Sequence, residues 1–366
     1  MSGRDPHDSR RLPLGRRLAI MAASGLATLA IALMVFALWG LWVFGSAGPS
    51  EQASSVILRR GAGLPEIAAQ LEDQRVVKSA SVFVAAAQIS GAARRLKAGE
   101  YAFKAHASIA DVLSDIRHGR IVRHFVTVPE GRTSQQAIDI LMGNPVLSGS
   151  APVPPEGSIL PETYEVQRGE DRSAVLQRMV SARDKLLAAL WPKRRADLPF
   201  RSMDEAMAMA SIVEKETSID AERPRVAAVY INRLQKGMRL ESDPTIIYGL
   251  TRGLPLGHGI RQSELHAITP YNTYLVTGLP PTPICNPGRA SIAAVLHAPH
   301  TDELYFVANG RGGHVFASTY EQHERNVARW RQVEQQGHAA DAVPGQGEAP
   351  ALAGASSAPA RPPALR

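Results

Sequence analysis

From Leu18 to Phe44 the chain runs for 27 residues without a charge, "LAIMAASGLATLAIALMVFALWGLWVF". A helix needs about 20 apolar residues to cross a bilayer, whereas the apolar core of a signal peptide needs only roughly 7–15. The segment 18–44 is therefore expected to be an uncleaved transmembrane helix. Trp39, Trp42 and Phe44 crowd its far end, where aromatic rings favour the membrane interface. Arg4, Arg10, Arg11, Arg16 and Arg17 precede it. The positive-inside rule then predicts residues 1–17 as a cytoplasmic tail and everything after Phe44 on the opposite side. The competing readings are a buried core helix and a signal cleaved within the small residues at 45–48. No second apolar span follows.

Composition narrows the partners. A net charge of +7 suits anionic lipid or an anionic polymer. Nucleic acid is disfavoured, because no helix clusters Lys and Arg, no zinc-finger spacing occurs, and only 5% of residues are aromatic. The single cysteine, Cys285, rules out an intrachain disulfide framework and a cysteine-rich metal site.

The expected organisation is α+β. Residues 45–55 form a polar linker. Residues 56–120 alternate strand, helix, helix, strand and a third short helix. Val82, Phe83, Ala86 and Ile89 are expected on the inner face of the second helix. A mixed α/β domain follows at 121–334, with helices at 133–142, 172–191, 203–217 and 224–236. Gly- and Pro-rich loops are expected over 249–288, a hairpin around Asn309-Gly310 and a polar helix over 320–333. Residues 335–366, rich in Ala, Pro, Gly and Ser, read as a disordered tail.

The stretch "ASIVEKET" (210–217) places two glutamates at the end of an apolar helix. At about 100° per residue, Glu214 lies in line with Met203, Met207 and Ala210, and Glu216 points to the other side. The two therefore cannot act as a pair on this helix. Glu214, desolvated beside an apolar stripe, suits general acid work. The competing reading is a structural carboxylate at a helix end. Glu216 is expected to be a structural ion-pair partner of Arg223 or Arg225. Other chemistries lack their motifs: there is no G-x-S-x-G, H-E-x-x-H, Walker A or G-x-G-x-x-G sequence. The histidines are scattered, so no metal site is expected.

Five segments recur in one order: "PEGSILPETYEV" (155–166), "ASIVEKET", "VYINRLQKGMRLESDPTIIYG" (229–249), "TPYNTYLVTGLPPTPICNPG" (269–288) and "ELYFVANGRGGHVFAST" (303–319). Together they resemble the endolytic murein transglycosylases of the MltG/YceG-like family. "RRGAGLPEIAAQL" and "LKAGEYAF" in 56–120 resemble a LysM-like subdomain, a type that binds glycans containing N-acetylglucosamine.

The resemblance implies a peptidoglycan lytic transglycosylase of the cell inner membrane with its catalytic domain in the periplasm. It would cleave the bond between N-acetylmuramic acid and N-acetylglucosamine and leave a 1,6-anhydro end, trimming or terminating nascent strands. Glu214 matches the family's catalytic acid. Asn232, Asp243, Thr245, Tyr248, Tyr271, Asn272, Tyr274 and His314 fall in the surrounding motifs and are expected at the glycan groove. No metal or organic cofactor is implied, and peptidoglycan synthases (penicillin-binding proteins) are the implied protein partners. The sequence departs from the family pattern at Thr282 and Glu324. Two alternatives stay open. One is a non-catalytic, membrane-anchored peptidoglycan scaffold. The other is a muramidase with a second carboxylate drawn from Glu162, Glu165, Glu241 or Asp243.

Overall fold

The computed structural model describes residues 14–341 apart from Arg60 and Arg95. The cytoplasmic tail read at 1–17 and the tail beyond 341 lie largely or wholly outside the described residues. Chain contacts separate two units, Met1–Arg123 and His124–Arg366.

In the first unit, helix α1 spans Leu14–Gly45. Its segment Met21–Gly45 is, among the described residues, the one helix long and apolar enough to cross a membrane. Leu26, Phe36 and Leu41 on it are exposed, while Val43 is buried. Strand β1 (Ser54–Leu58), helices α2 (Leu64–Asp73) and α3 (Ala80–Ile89), strand β2 (Gly99–Phe103) and helix α4 (Ile109–His118) follow. β1 and β2 are antiparallel, with Val56 opposite Tyr101. The two-residue period of β1 turns Val56 and Leu58 inward. They meet Ile67, Leu71, Phe83, Val112 and Ile116 in one small core. Ile89, expected inward, is exposed. The buried side of α3 is set by Phe83 and Ala87, and Ile89 stands about 200° around the helix from Ala87.

In the second unit, β3 (His124–Thr127) pairs antiparallel with β4 (Thr163–Val166), and β5 (Tyr305–Ala308) with β6 (His314–Ala317). Asn309 Oδ1 accepts from the amides of Arg311 and Gly313 and closes the second hairpin, while Gly310 takes the left-handed φ of 73° that its turn needs. The helices are α5 (Ser134–Gly143), α6 (Arg172–Leu190), α7 (Met203–Glu216), α8 (Arg223–Gln235), α9 (Asp243–Thr251), α10 (Gln262–Leu265), α11 (Arg289–Leu296) and α12 (Tyr320–Asp341). Helix α7 is central: every residue from Ala206 to Val213 is buried. It packs against α8, α9 and α11, which explains why its sequence is apolar on all sides.

Helices α9 and α11 are not anticipated by the sequence reading. Both are short and lie in or beside Gly/Pro-rich sequence, where the periodic signal is weak. The long loops expected over 249–288 are present, interrupted by α10. Helix α12 runs to Asp341, past the expected boundary at 334. Extending an existing helix costs little, and the Gln and Ala residues past 334 are adequate helix formers.

Candidate active site

Ser202 opens α7 by accepting a hydrogen bond from the Glu205 amide, and the helix delivers Glu214 and Glu216 at its last turn. The two carboxylates have different surroundings. Glu214, with a side chain 6% exposed, accepts at Oε2 from the Gly288 amide at 2.9 Å and the Ser291 hydroxyl at 2.7 Å. Both donors belong to the start of α11. Arg223 Nη2 lies 3.9 Å from Glu214 Oε1.

Glu216 accepts from the Tyr230 hydroxyl at 2.8 Å and the Ser242 hydroxyl at 2.5 Å. It does not pair with Arg223 or Arg225 as expected. Arg223 reaches Glu214, Glu130 and Asp220, and Arg225 pairs with Glu303. The side of α7 that carries Glu216 faces hydroxyl groups of α8 and of the residue before α9, rather than guanidinium groups. Burial holds the Glu216 carboxyl above its ordinary value, against the opposing effect of the two hydroxyl bonds. The folded state therefore keeps this proton to higher pH than the unfolded chain, so stability falls as pH rises above about 4.5. Glu216→Gln removes that dependence. Its melting temperature is expected to gain on the wild type as pH rises from 4.5 to 8, and a constant difference across thermal melts would refute this.

Glu130, from the loop after β3, was missed by the sequence reading. Its Oε2 lies 4.0 Å from the same Arg223 nitrogen that approaches Glu214. Gly288 sits between the two carboxyls. Its amide donates to Glu214, and a Cβ on it would fall 1.8 Å from Glu130 Oε1. Burial, and next the charge of Glu214, hold the Glu130 carboxyl above its ordinary value against the pull of Arg223.

The model of the YceG-like family matches residues 56–329. The chain belongs to the YceG-like family. An endolytic murein transglycosylase of Bacillus subtilis strain 168 is 33% identical over 184 residues, covering 50% of this chain and 49% of that protein. One from Streptococcus pneumoniae D39 is 28% identical over 328 residues, covering 76% of this chain and 58% of that protein. The chain thus spans about half the length of the curated relatives it matches. A crystal structure of a yceG-like protein from Listeria monocytogenes is 28% identical, with a TM-score of 0.48, over 75% of this chain and 99% of that one.

In this YceG-like chain the expected groove residues do not form one surface. Thr245 and Asn272 are fully buried. Thr245 bonds the Ser242 carbonyl and Thr273, and Asn272 donates to the carbonyls of Leu265 and Ala267. Asn232 donates to the carbonyls of Thr301 and Glu303. These three side chains hold loops in place. Tyr274 donates to Asp243 at 2.7 Å, and both line a small cavity with Glu216, Tyr230, Arg233 and His323. His314 Nδ1 lies 2.7 Å from Glu222 Oε2, and its amide donates to Oε1. Burial opposes ionisation of Glu222, but these bonds and the His314 charge hold its carboxyl below the ordinary value. Tyr248 and Tyr271 are mostly buried and meet edge to face. Tyr248 donates to Glu156, and Tyr271 shares a 2.9 Å bond with Thr282. The hydroxyl at 282 thus anchors an aromatic ring of the "YNTY" element. Glu324 is exposed.

Two further residues escaped the sequence reading. Asn286 is fully buried. It accepts from the Ile159 amide and donates toward the Arg132 carbonyl, Ser134 and Glu156. Ser211 of α7 receives the Ile284 amide. The "PICNPG" segment is therefore fastened to α7 and to the loop bearing Glu130. The position of these residues within the quoted motifs was the available signal; their roles required the fold.

Proposed function

We propose that this chain is an endolytic murein transglycosylase anchored in the inner membrane by α1, with Glu214 as its central catalytic carboxyl. The observation that carries the reading is a buried carboxyl, fixed on the Gly288 amide and the Ser291 hydroxyl, in a chain of the YceG-like family. Cleavage between N-acetylmuramic acid and N-acetylglucosamine requires a proton on the leaving oxygen. It also requires a base for the muramic acid C6 hydroxyl, which closes onto C1. That hydroxyl is tethered to the reacting ring, and well-oriented tethered nucleophiles reach effective molarities of about 10⁵–10⁸ M. The reaction needs neither a metal nor an activated water. Asp243, Tyr274 and His314, all partly exposed, are the groove residues best placed to meet sugar. The buried Thr245, Asn272 and Tyr271 support loop shape.

The arginines before the span orient the second unit toward the periplasm. A tag at Arg366 is expected to be digested by protease added to spheroplasts, and protection would refute this orientation. Residues 56–120 are read as the LysM-like part, and their deletion should weaken retention on insoluble peptidoglycan. Penicillin-binding synthases, which make the nascent strands, fit as partners; co-purification after cross-linking would test this.

A second reading, hydrolysis by two carboxylates, is favoured by one observation: Glu130 approaches the same guanidinium as Glu214. Digestion of purified strands in ¹⁸O-labelled water separates the two. Ring closure is expected to give unlabelled 1,6-anhydro ends, lighter by one water than reducing ends. Label at most new ends would establish hydrolysis.

A further inference from the structure

We infer that Glu130 is a second catalytic carboxyl: it delivers the proton to the glycosidic oxygen, and Glu214 takes the proton of the muramic acid C6 hydroxyl. The inference rests on the transglycosylase reading above and divides its two proton transfers between two groups.

The geometry points to that division. Both hydrogen-bond partners of Glu214 are donors, and both act on Oε2. Arg223 stands near Oε1. This carboxyl is held as an acceptor, with 6% of its side chain exposed. Among the described residues the Glu130 side chain accepts no hydrogen bond; the Arg223 guanidinium stands 4.0 Å away, and 42% of the side chain is open to solvent. It is free to turn toward a bound strand. Gly288 lies between the two carboxyls, and a Cβ there would press on the Glu130 carboxyl, the movable end of its side chain.

The charged groups around Glu130 come from several elements. Glu214 comes from α7, Arg223 from α8, Asp220 from the connection between them, and Glu162 from the segment entering β4. Arg289 of α11 neutralises Glu162 at 2.8 Å, and the Lys215 side chain passes beside Gly131. Carboxylates thus outnumber the guanidinium at this point. Together with burial they raise the Glu130 carboxyl, which supports its role as the group that carries the proton.

The step balances without a co-reactant. The proton of Glu130 passes to O4 of the departing sugar as the C1–O4 bond breaks. The C6 oxygen bonds C1 as its proton passes to Glu214. Exchange with solvent returns the proton from Glu214 to Glu130 for the next turnover.

The test uses the full chain in detergent with purified glycan strands, counting anhydro ends across pH 4–9. In the wild type, loss of the Glu130 proton produces the decline on the alkaline side. Glu130→Gln is expected to lower the rate by about 10²-fold or more and to abolish that alkaline decline. Glu130→Asp should keep the decline at a reduced rate. Gly288→Ala, whose methyl would displace Glu130, should lower the rate in the same direction. Glu130→Gln within threefold of wild type, or with an unchanged alkaline decline, would overturn the assignment. If Glu130→Gln does not fold, full activity of Glu130→Asp together with Gly288→Ala would overturn it. Failure of the underlying reading looks different: the wild-type chain itself would produce no anhydro ends.

Discussion

Glu214→Gln is expected to abolish glycan cleavage while the chain still folds. Glutamine has neither an acidic proton to give nor a carboxylate to take one. General acid–base catalysis alone is worth about 10²–10⁴-fold, and the loss is larger if Glu214 serves both proton transfers. The fold should survive because the amide oxygen can still accept from Gly288 or Ser291, and the side-chain volume is nearly unchanged. Glu216→Gln is the internal control. It alters a carboxyl on the other side of the same helix, bonded to Tyr230 and Ser242, and should retain turnover. The measurement is the release of anhydro ends, with circular dichroism to check folding. Normal turnover by the Glu214 variant would remove this carboxyl from the mechanism.

Asn286→Ala is expected to cause the largest loss of stability outside the main apolar core. The side chain is fully buried and joins the Ile159 amide, the Arg132 carbonyl, Ser134 and Glu156. Alanine leaves a buried amide and a buried carbonyl without this partner. At about 1–3 kcal/mol for each of the two groups, the cost is roughly 2–6 kcal/mol. That corresponds to a fall in melting temperature on the order of 10 °C for a unit of this size. Asn286→Asp should be nearly as damaging, since it donates to none of the acceptors and sets a second carboxyl against Glu156. Thermal melts of both variants decide the point, and a loss below about 1 kcal/mol would show that the network is dispensable. Activity should fall as well, because the Asn286 side chain donates to the Arg132 carbonyl in the loop that bears Glu130.

Some of this was legible without coordinates because it depends on neighbours along the chain. The span in α1 follows from an unbroken apolar run. The helix carrying Glu214 and Glu216, the divergence of the two carboxyls and the turn at Asn309-Gly310 follow from local periodicity and turn chemistry. Burial of Glu214 was implied by the residues one helical turn away, and its match to the family's catalytic acid set it above a structural carboxylate. Partners distant in sequence were not legible. Glu214 meets Gly288 and Ser291, more than 70 positions away, and shares Arg223 with Glu130, more than 80 positions before it. The expected Glu216–Arg223 pair failed because helix α8 turns that guanidinium toward the other face of α7. Thr245 and Asn272 carried polar side chains compatible with a sugar site, yet burial committed them to loop carbonyls and hydroxyls. The sequence determined which local segments form and which residue types they carry. Only the tertiary structure decided which polar groups face the site and which are consumed inside, because a buried polar group must find its hydrogen-bond partner wherever the packed chain brings one.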